Sequence, residues 1–134
     1  MTLTKKKAQP TASQLKKQLW QLCRAIIISE YGSDCYTCPA RALLGSNRHV
    51  SHFISSSICS AELRYALENL RPQCYACNIH RSGNWPAYEA HLRADGIDVE
   101  ALKQRNRDTQ GMRADSLWYL RKIEEYAELA ASLS

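Results

Sequence analysis

Two cysteine pairs, Cys35-Tyr-Thr-Cys38 and Cys74-Tyr-Ala-Cys77, constrain this chain more than any other feature. Each C-x2-C turn presents two sulfurs on one short loop, and 35 residues lie between the pairs. Four thiolates at that bite satisfy tetrahedral zinc and pull two distant segments to one point. The same ligands accept an iron–sulfur cluster, and four ordinary buried cysteines are the third reading. Zinc fits the paired spacing best. Four thiolates leave it no open coordination position, so its expected role is structural and any chemistry lies elsewhere. Cys23, beside a helical stripe, and Cys59, in a serine-rich stretch, have no partner pair and read as bystanders.

At 134 residues the chain fits one domain with a modest core, to which a metal staple adds stability. Its net charge of +5 favours an anionic partner without identifying one. Six cysteines also suit a disulfide-rich secreted domain. Against that, Lys5, Lys6 and Lys7 lead into polar Ala-Gln-Pro-Thr, with no apolar segment of the kind a signal peptide carries. Ala25 to Ile28 is too short an apolar run to span a bilayer. The expectation is a reducing cytoplasm, with no membrane contact.

Four blocks follow along the chain. Residues 1–10 are polar and basic and read as a disordered arm. Residues 11–31 read as a helix: Thr11-x-x-Gln14 has the form of a capping box, and Leu15, Leu19, Leu22 and Ile26 make one apolar stripe. Residues 32–107 form the expected core. Within it His49 to Ile54 reads as a strand, with Val50 and His52 on one face and His49, Ser51 and Phe53 on the other. A short helix is expected over 61–69, a helix or turn from Cys77 closed by Gly83, and helix over 86–107 broken at Gly96, with Asp98 capping its second piece. Residues 108–134 comprise a polar linker and a final amphipathic helix with the stripe Leu120, Ile123, Ala127 and Ala130.

Between and just after the knuckles lie His52, Asn69 and Asn78. Phosphodiester hydrolysis needs a base that is neutral near pH 7 and a hard divalent cation on the phosphate. His52 offers the first, and an asparagine oxygen helps supply the second. Together with the knuckles, these residues point to a zinc-stapled, metal-dependent nuclease.

The strings CYTC, HVSHF, ENLRPQCYACNIHRSGN and the following Tyr88-x-x-x-Leu92 resemble the HNH, or His-Me finger, nucleases. More narrowly they resemble the lambdoid phage NinG (Rap) recombination family, over most of residues 14–105. That resemblance implies an α+β fold in which a zinc-stapled ββα-metal core is flanked by N-terminal and C-terminal helices. It implies that His52 is the general base, that Asn69 orients the loop and the base, and that Asn78 helps hold a catalytic Mg²⁺ or Mn²⁺. It further implies in-line water attack, a phage or prophage origin in a bacterial host, and branched DNA such as D-loops or Holliday junctions as substrate. Many HNH enzymes have a metal-binding Asp or His immediately before the base, where this chain has Ser51, and NinG-like sequences lack an acid there too. His49 and His80 are the candidates to supply the missing cofactor ligand.

Arg48, Arg71 and Arg81 flank this region and are expected to contact phosphate, with Lys16 and Lys17 adding salt-sensitive affinity. Trp85 and Tyr88 read either as stacking surfaces for a distorted base or as core. The acidic terminal helix either covers the core or forms a homodimer interface. Two other functions fit the same residues: a catalytically inactive zinc-dependent DNA-binding module, which Ser51 favours, and a sequence-specific HNH nicking endonuclease. A thiol redox protein fits them less well.

Overall fold

A computed structural model describes residues 9–133, so most of the arm expected over 1–10, including Lys5 to Lys7, lies outside the described residues. The first helix, α1 (Ala12–Tyr31), starts where the capping box is expected. Gln14 N donates to Thr11 Oγ1 at 3.2 Å, and Thr11 N donates to Gln14 Oε1 at 2.8 Å. Gly32 ends the helix at φ 75°, a left-handed conformation that glycine adopts without steric cost. The buried face runs through Leu15, Leu19, Cys23, Ile26 and Ile27. Cys23 thus takes the central place expected of Leu22, which is only partly buried. Burial pushes its thiol up to about 12, so it stays a neutral core group.

The other elements are β1 (His49–His52), α2 (Ala61–Arg64), β2 (Leu70–Gln73), α3 (Trp85–Ala94), α4 (Val99–Asp108) and α5 (Ser116–Ser132). The fold is mixed α+β around one two-stranded antiparallel sheet, with His49 opposite Gln73 and His52 opposite Leu70. Strand β1 has the two faces expected of it. Val50 packs into the cluster built by α1 and α5, and the His52 ring stacks on Trp20 of α1. On the opposite face, Phe53 packs against Tyr88 of α3, whose Oη donates to Ser51 O at 2.9 Å. The sheet is therefore held between α1 and α5 on one side and α3 on the other.

Three expectations need correction. The helix expected over 61–69 is interrupted at Tyr65 and Ala66, both of which turn into the core, and resumes as a 3-10 turn over Leu67–Asn69. Strand β1 stops at His52 rather than Ile54, because Asn69 binds the backbone of Ile54. On α5 the buried stripe is Tyr119, Ile123 and Tyr126, whereas Leu120 is exposed. Tyrosine is amphipathic, and Tyr126 enters the core because its Oη donates to Tyr65 O at 2.6 Å. The two-piece helix over 86–107 is found as α3 and α4, with Asp98 Oδ1 accepting from Ala101 N at 2.9 Å.

Arg71 corrects a functional expectation as well. It is 1% exposed, so it does not reach a DNA backbone. Its Nη1 donates to Leu67 O and Leu70 O at 3.1 and 2.7 Å, and its guanidinium lies 4.2 Å from the Tyr31 ring centre and 5.4 Å from that of Tyr36. The charge ties the end of α1 to the first knuckle. Replacing Arg71 with alanine strands those carbonyls, and denaturant unfolding should show a loss of about 2–4 kcal/mol. The loss should be the same at low and high salt; a variant that unfolds like wild type would refute this structural role.

Candidate functional site

The four knuckle sulfurs lie within 4.8 Å of one another. Cys38 Sγ and Cys74 Sγ are 3.7 Å apart, close to the edge of about 3.8 Å that a ZnS₄ tetrahedron requires. Ala40 N points to Cys38 Sγ at 3.5 Å and Cys77 N to Cys74 Sγ at 3.4 Å, donors that favour thiolate. Burial raises the Cys77 thiol, but hydrogen bonds from Thr37 and Arg81 outweigh it and hold Cys77 below the usual thiol range. Arg81 Nη1 is 3.2 Å from Cys77 Sγ. Asn84 Nδ2 donates to Thr37 O at 3.2 Å and lies 3.7 Å from Cys77 Sγ, so its side chain braces the knuckles and does not cap α3. The donor set fits a structural zinc ion.

Gln73 carries this bracing into the sheet. It is fully buried at the end of β2, and its Nε2 donates to Thr37 Oγ1 at 2.8 Å and to Gly83 O at 2.7 Å. Its Oε1 accepts from the Ser51 hydroxyl. Ser51 is 3% exposed, and that bond fixes its role as structural.

Asn69, also fully buried, clamps the chain just beyond β1. Its Oδ1 accepts from Ile54 N at 2.7 Å, and its Nδ2 donates to Ile54 O at 3.1 Å and to Leu63 O at 3.0 Å. All its hydrogen bonds go to backbone, two residues from His52 and one residue from Arg64. Those neighbours are themselves joined: His52 Nε2 lies 2.9 Å from Arg64 O. A carbonyl only accepts, so Nε2 carries the proton and the neutral ring keeps its lone pair on Nδ1. Burial holds the His52 pKa below 6.5, and the Arg64 charge adds to this against the opposing hydrogen bond. The Trp20 indole, 5.2 Å away and inclined by 12°, fixes the plane of the ring.

His52 and Asn78 line one cleft of about 300 Å³, together with Phe53, Ser55, Ser56, Ser82, Gly83 and Trp85. None of these residues is acidic. Asn78 sits in a π-helical turn over Ala76–His80, closed by Arg81 N donating to Ala76 O at 2.9 Å. Gly83, at φ 85°, ends the segment where the sequence places its stop. His49 orients Asn78. Its Nε2 donates to Ser46 O at 2.8 Å, so Nδ1 accepts from Asn78 Nδ2 at 2.7 Å. Asn78 Oδ1 is thereby defined as the free acceptor. With both ring nitrogens engaged, His49 positions the asparagine and offers no ligand atom of its own. His80 is exposed, its ring 5.2 Å from that of Tyr75, and it does not line the cleft.

The basic residues divide. Lys16 and Lys17 are exposed on α1, and Lys17, Trp20 and Arg24 follow at helical spacing, with Trp20 the one that meets His52. Arg48 is half-buried, donates to Ser33 Oγ at 3.4 Å, and lines a second cleft with Arg24 and Trp20. Arg81 is exposed but hydrogen-bonded to the Cys77 sulfur. Sequence reasoning missed Gln73 and Trp20. Gln73 lies one position before a ligand cysteine, and Trp20 is an aromatic beside the apolar stripe of α1. Neither position says what its side chain meets.

A family model described as Bacteriophage Lambda NinG protein matches residues 2–131 of this chain. No curated protein and no solved structure matches it. Among the described residues, no helix is long and apolar enough to cross a membrane.

Two outcomes test this site. Elemental analysis of protein purified without chelator should find one zinc per chain, and Cys74→Ser should lose both that zinc and the cooperative melt. Iron, or no metal at all, would overturn the zinc assignment. Asn69→Ala leaves several buried backbone groups unpaired and should lower unfolding free energy by about 2–4 kcal/mol. An unchanged melting curve would show that the clamp is dispensable.

Proposed function

Since the chain belongs to the Bacteriophage Lambda NinG family, we propose that it is a metal-dependent DNA endonuclease of the HNH type. Its substrates are branched recombination intermediates such as D-loops and Holliday junctions, cut within the cytoplasm of a phage-infected bacterium. One observation carries the reading: a neutral His52 of fixed tautomer shares a cleft with an Asn78 whose oxygen is free. The order β1, β2 and helical turn around them supports a ββα-metal core, with the zinc knuckles holding the turn against the strands.

In this mechanism His52 Nδ1 takes a proton from the attacking water. Arg64 O keeps Nε2 protonated, so the developing imidazolium gains a charge-assisted hydrogen bond. Asn69 holds the backbone that follows His52. Asn78 Oδ1 is the protein donor for a hard cation, and its neutrality means that the substrate phosphate supplies much of the attraction. When bound, Mg²⁺ or Mn²⁺ polarises that phosphate and steadies the departing oxygen. Lys16, Lys17, Arg24 and Arg48 grip the flanking backbone without reading sequence. Two copies suit a two-fold symmetric junction, and the exposed Leu117 and Leu120 of α5 offer the apolar contact between them.

The uncharged cleft favours a second reading, a zinc-stapled DNA-binding module without catalysis. Labelled four-way junction, D-loop and linear duplex, each incubated with Mg²⁺, Mn²⁺ or chelator, separate the two. Cleavage of the branched DNAs should need the cation and fall about 10²–10⁴-fold in His52→Ala. Because burial lowers its pKa, His52 becomes the neutral base at lower pH than an ordinary imidazole does. The rate should therefore be flat at neutral and alkaline pH and fall in acid with a midpoint below that of an unshifted histidine. Tight binding without cleavage would make the chain a binding module. Cleavage of linear duplex at one discrete position would make it a sequence-specific nicking enzyme.

A further inference from the structure

Beside the cleft of His52 and Asn78 lies another of about 440 Å³. The two share Phe53, Ser55, Ser82 and Trp85, so they form one continuous depression. The larger cleft has an apolar floor of Phe53, Ile54 and Ile58, and a polar wall from α4 that includes Asn106 and Arg107.

Trp85 stands at the junction, on the first position of α3. Its side chain is solvent-facing, with 61% of the residue exposed, and no aromatic ring packs on it among the described residues. The core beneath it is already closed by Tyr88, which is fully buried. An indole left open beside an apolar floor is a stacking surface. The wall opposite has hydrogen-bonding capacity to spare. Asn106 Oδ1 accepts from Ser60 N at 2.8 Å and from Gln110 Nε2 at 3.1 Å, which fixes the amide and leaves its Nδ2 donors for a ligand. Arg107 is exposed, with one hydrogen bond, to Gln104 Oε1 at 2.7 Å.

We propose that this second cleft binds one unpaired nucleobase of the strand whose phosphate occupies the His52 cleft. The proposal rests on the nuclease reading above. Trp85 stacks on the base, Phe53 and Ile58 contact its edge, Asn106 Nδ2 donates to a base acceptor, and Arg107 meets the adjoining phosphate. Every base has a π-face, so such a site prefers unpaired DNA over duplex without preferring a sequence. Lys103 and Glu89 also line the cleft and pair with each other at 3.0 Å, so Arg107 supplies the lining's net positive charge. With the chain's net charge of +5 it selects an anionic occupant over an apolar peptide or a second copy of the chain.

The test is binding of the full chain, zinc-replete and without Mg²⁺ or Mn²⁺. One labelled duplex carries a short single-stranded flank at a junction, and a matched duplex is fully paired. Trp85→Ala should weaken binding of the flanked DNA about tenfold and leave the paired duplex within about twofold, while Trp85→Phe keeps most of the affinity. An abasic site at the first flank position should reproduce that loss in wild type and add nothing further in Trp85→Ala. DNA binding that ignores Trp85, or that treats abasic and intact flanks alike, overturns this proposal alone. A change of oligomeric state in Trp85→Ala, seen by sedimentation, overturns it in favour of a second copy covering the cleft. Failure to bind any DNA overturns the nuclease reading and this proposal with it.

Discussion

Four sulfurs drawn to one point fasten the two ends of the region that carries the sheet. Only a two-stranded sheet and short helical turns connect α1 to α3, and an isolated two-stranded sheet is marginal in water. The sheet persists because both of its ends are tied. Strand β2 runs directly into Cys74, and Gln73, one residue earlier, bonds Thr37 in the first knuckle and Gly83 beyond the second. Arg71, two residues before that, clasps Tyr31 and Tyr36 on either side of the first knuckle's entry. Every residue of β2 is buried. The strand belongs to the cysteine cluster as much as to the sheet.

This arrangement transmits order to the cleft through hydrogen bonds that define proton positions. Carbonyls face one nitrogen of His52 and one of His49, and each fixes which ring nitrogen donates. His52 is left with a free lone pair, whereas that of His49 is used to turn the Asn78 amide. Two histidines three residues apart on one short strand therefore have opposite fates: one exposes its basic nitrogen, and the other gives it up to orient a neighbour. Burial, with the Arg64 charge adding to it, disfavours the charged form of the first.

The sequence made the knuckles, the N-terminal capping box, the faces of β1 and the break between α3 and α4 legible, because each depends on local spacing. Contacts made across the sheet were not legible in this way. Arg71 reads as a surface cation available to phosphate, yet it lies beneath two tyrosines from distant segments. The stripe Leu120, Ile123, Ala127 and Ala130 leaves out Tyr119 and Tyr126, which line the buried face, and Tyr126 buries its ring because its hydroxyl finds a carbonyl. His49 was read as a spare ligand. Whether its nitrogens were free depended on Ser46 and Asn78, which no periodicity brings together.

Ser51 illustrates how a position can be closed to the chemistry expected of it. An aspartate there would place a carboxylate in a site that is 3% exposed, against the Gln73 oxygen that now accepts from the Ser51 hydroxyl. The Gln73 amide cannot turn to meet it without releasing Thr37 and Gly83, the links between strand, first knuckle and the turn after the second. The charge would be buried and unpaired, at a cost of several kcal/mol. Keeping the brace therefore excludes an acid from position 51, and the residues that line the cleft itself carry none. A cation in such a cleft gains little from the protein alone and most of its attraction from a phosphate brought by the substrate, which couples metal occupancy to DNA binding.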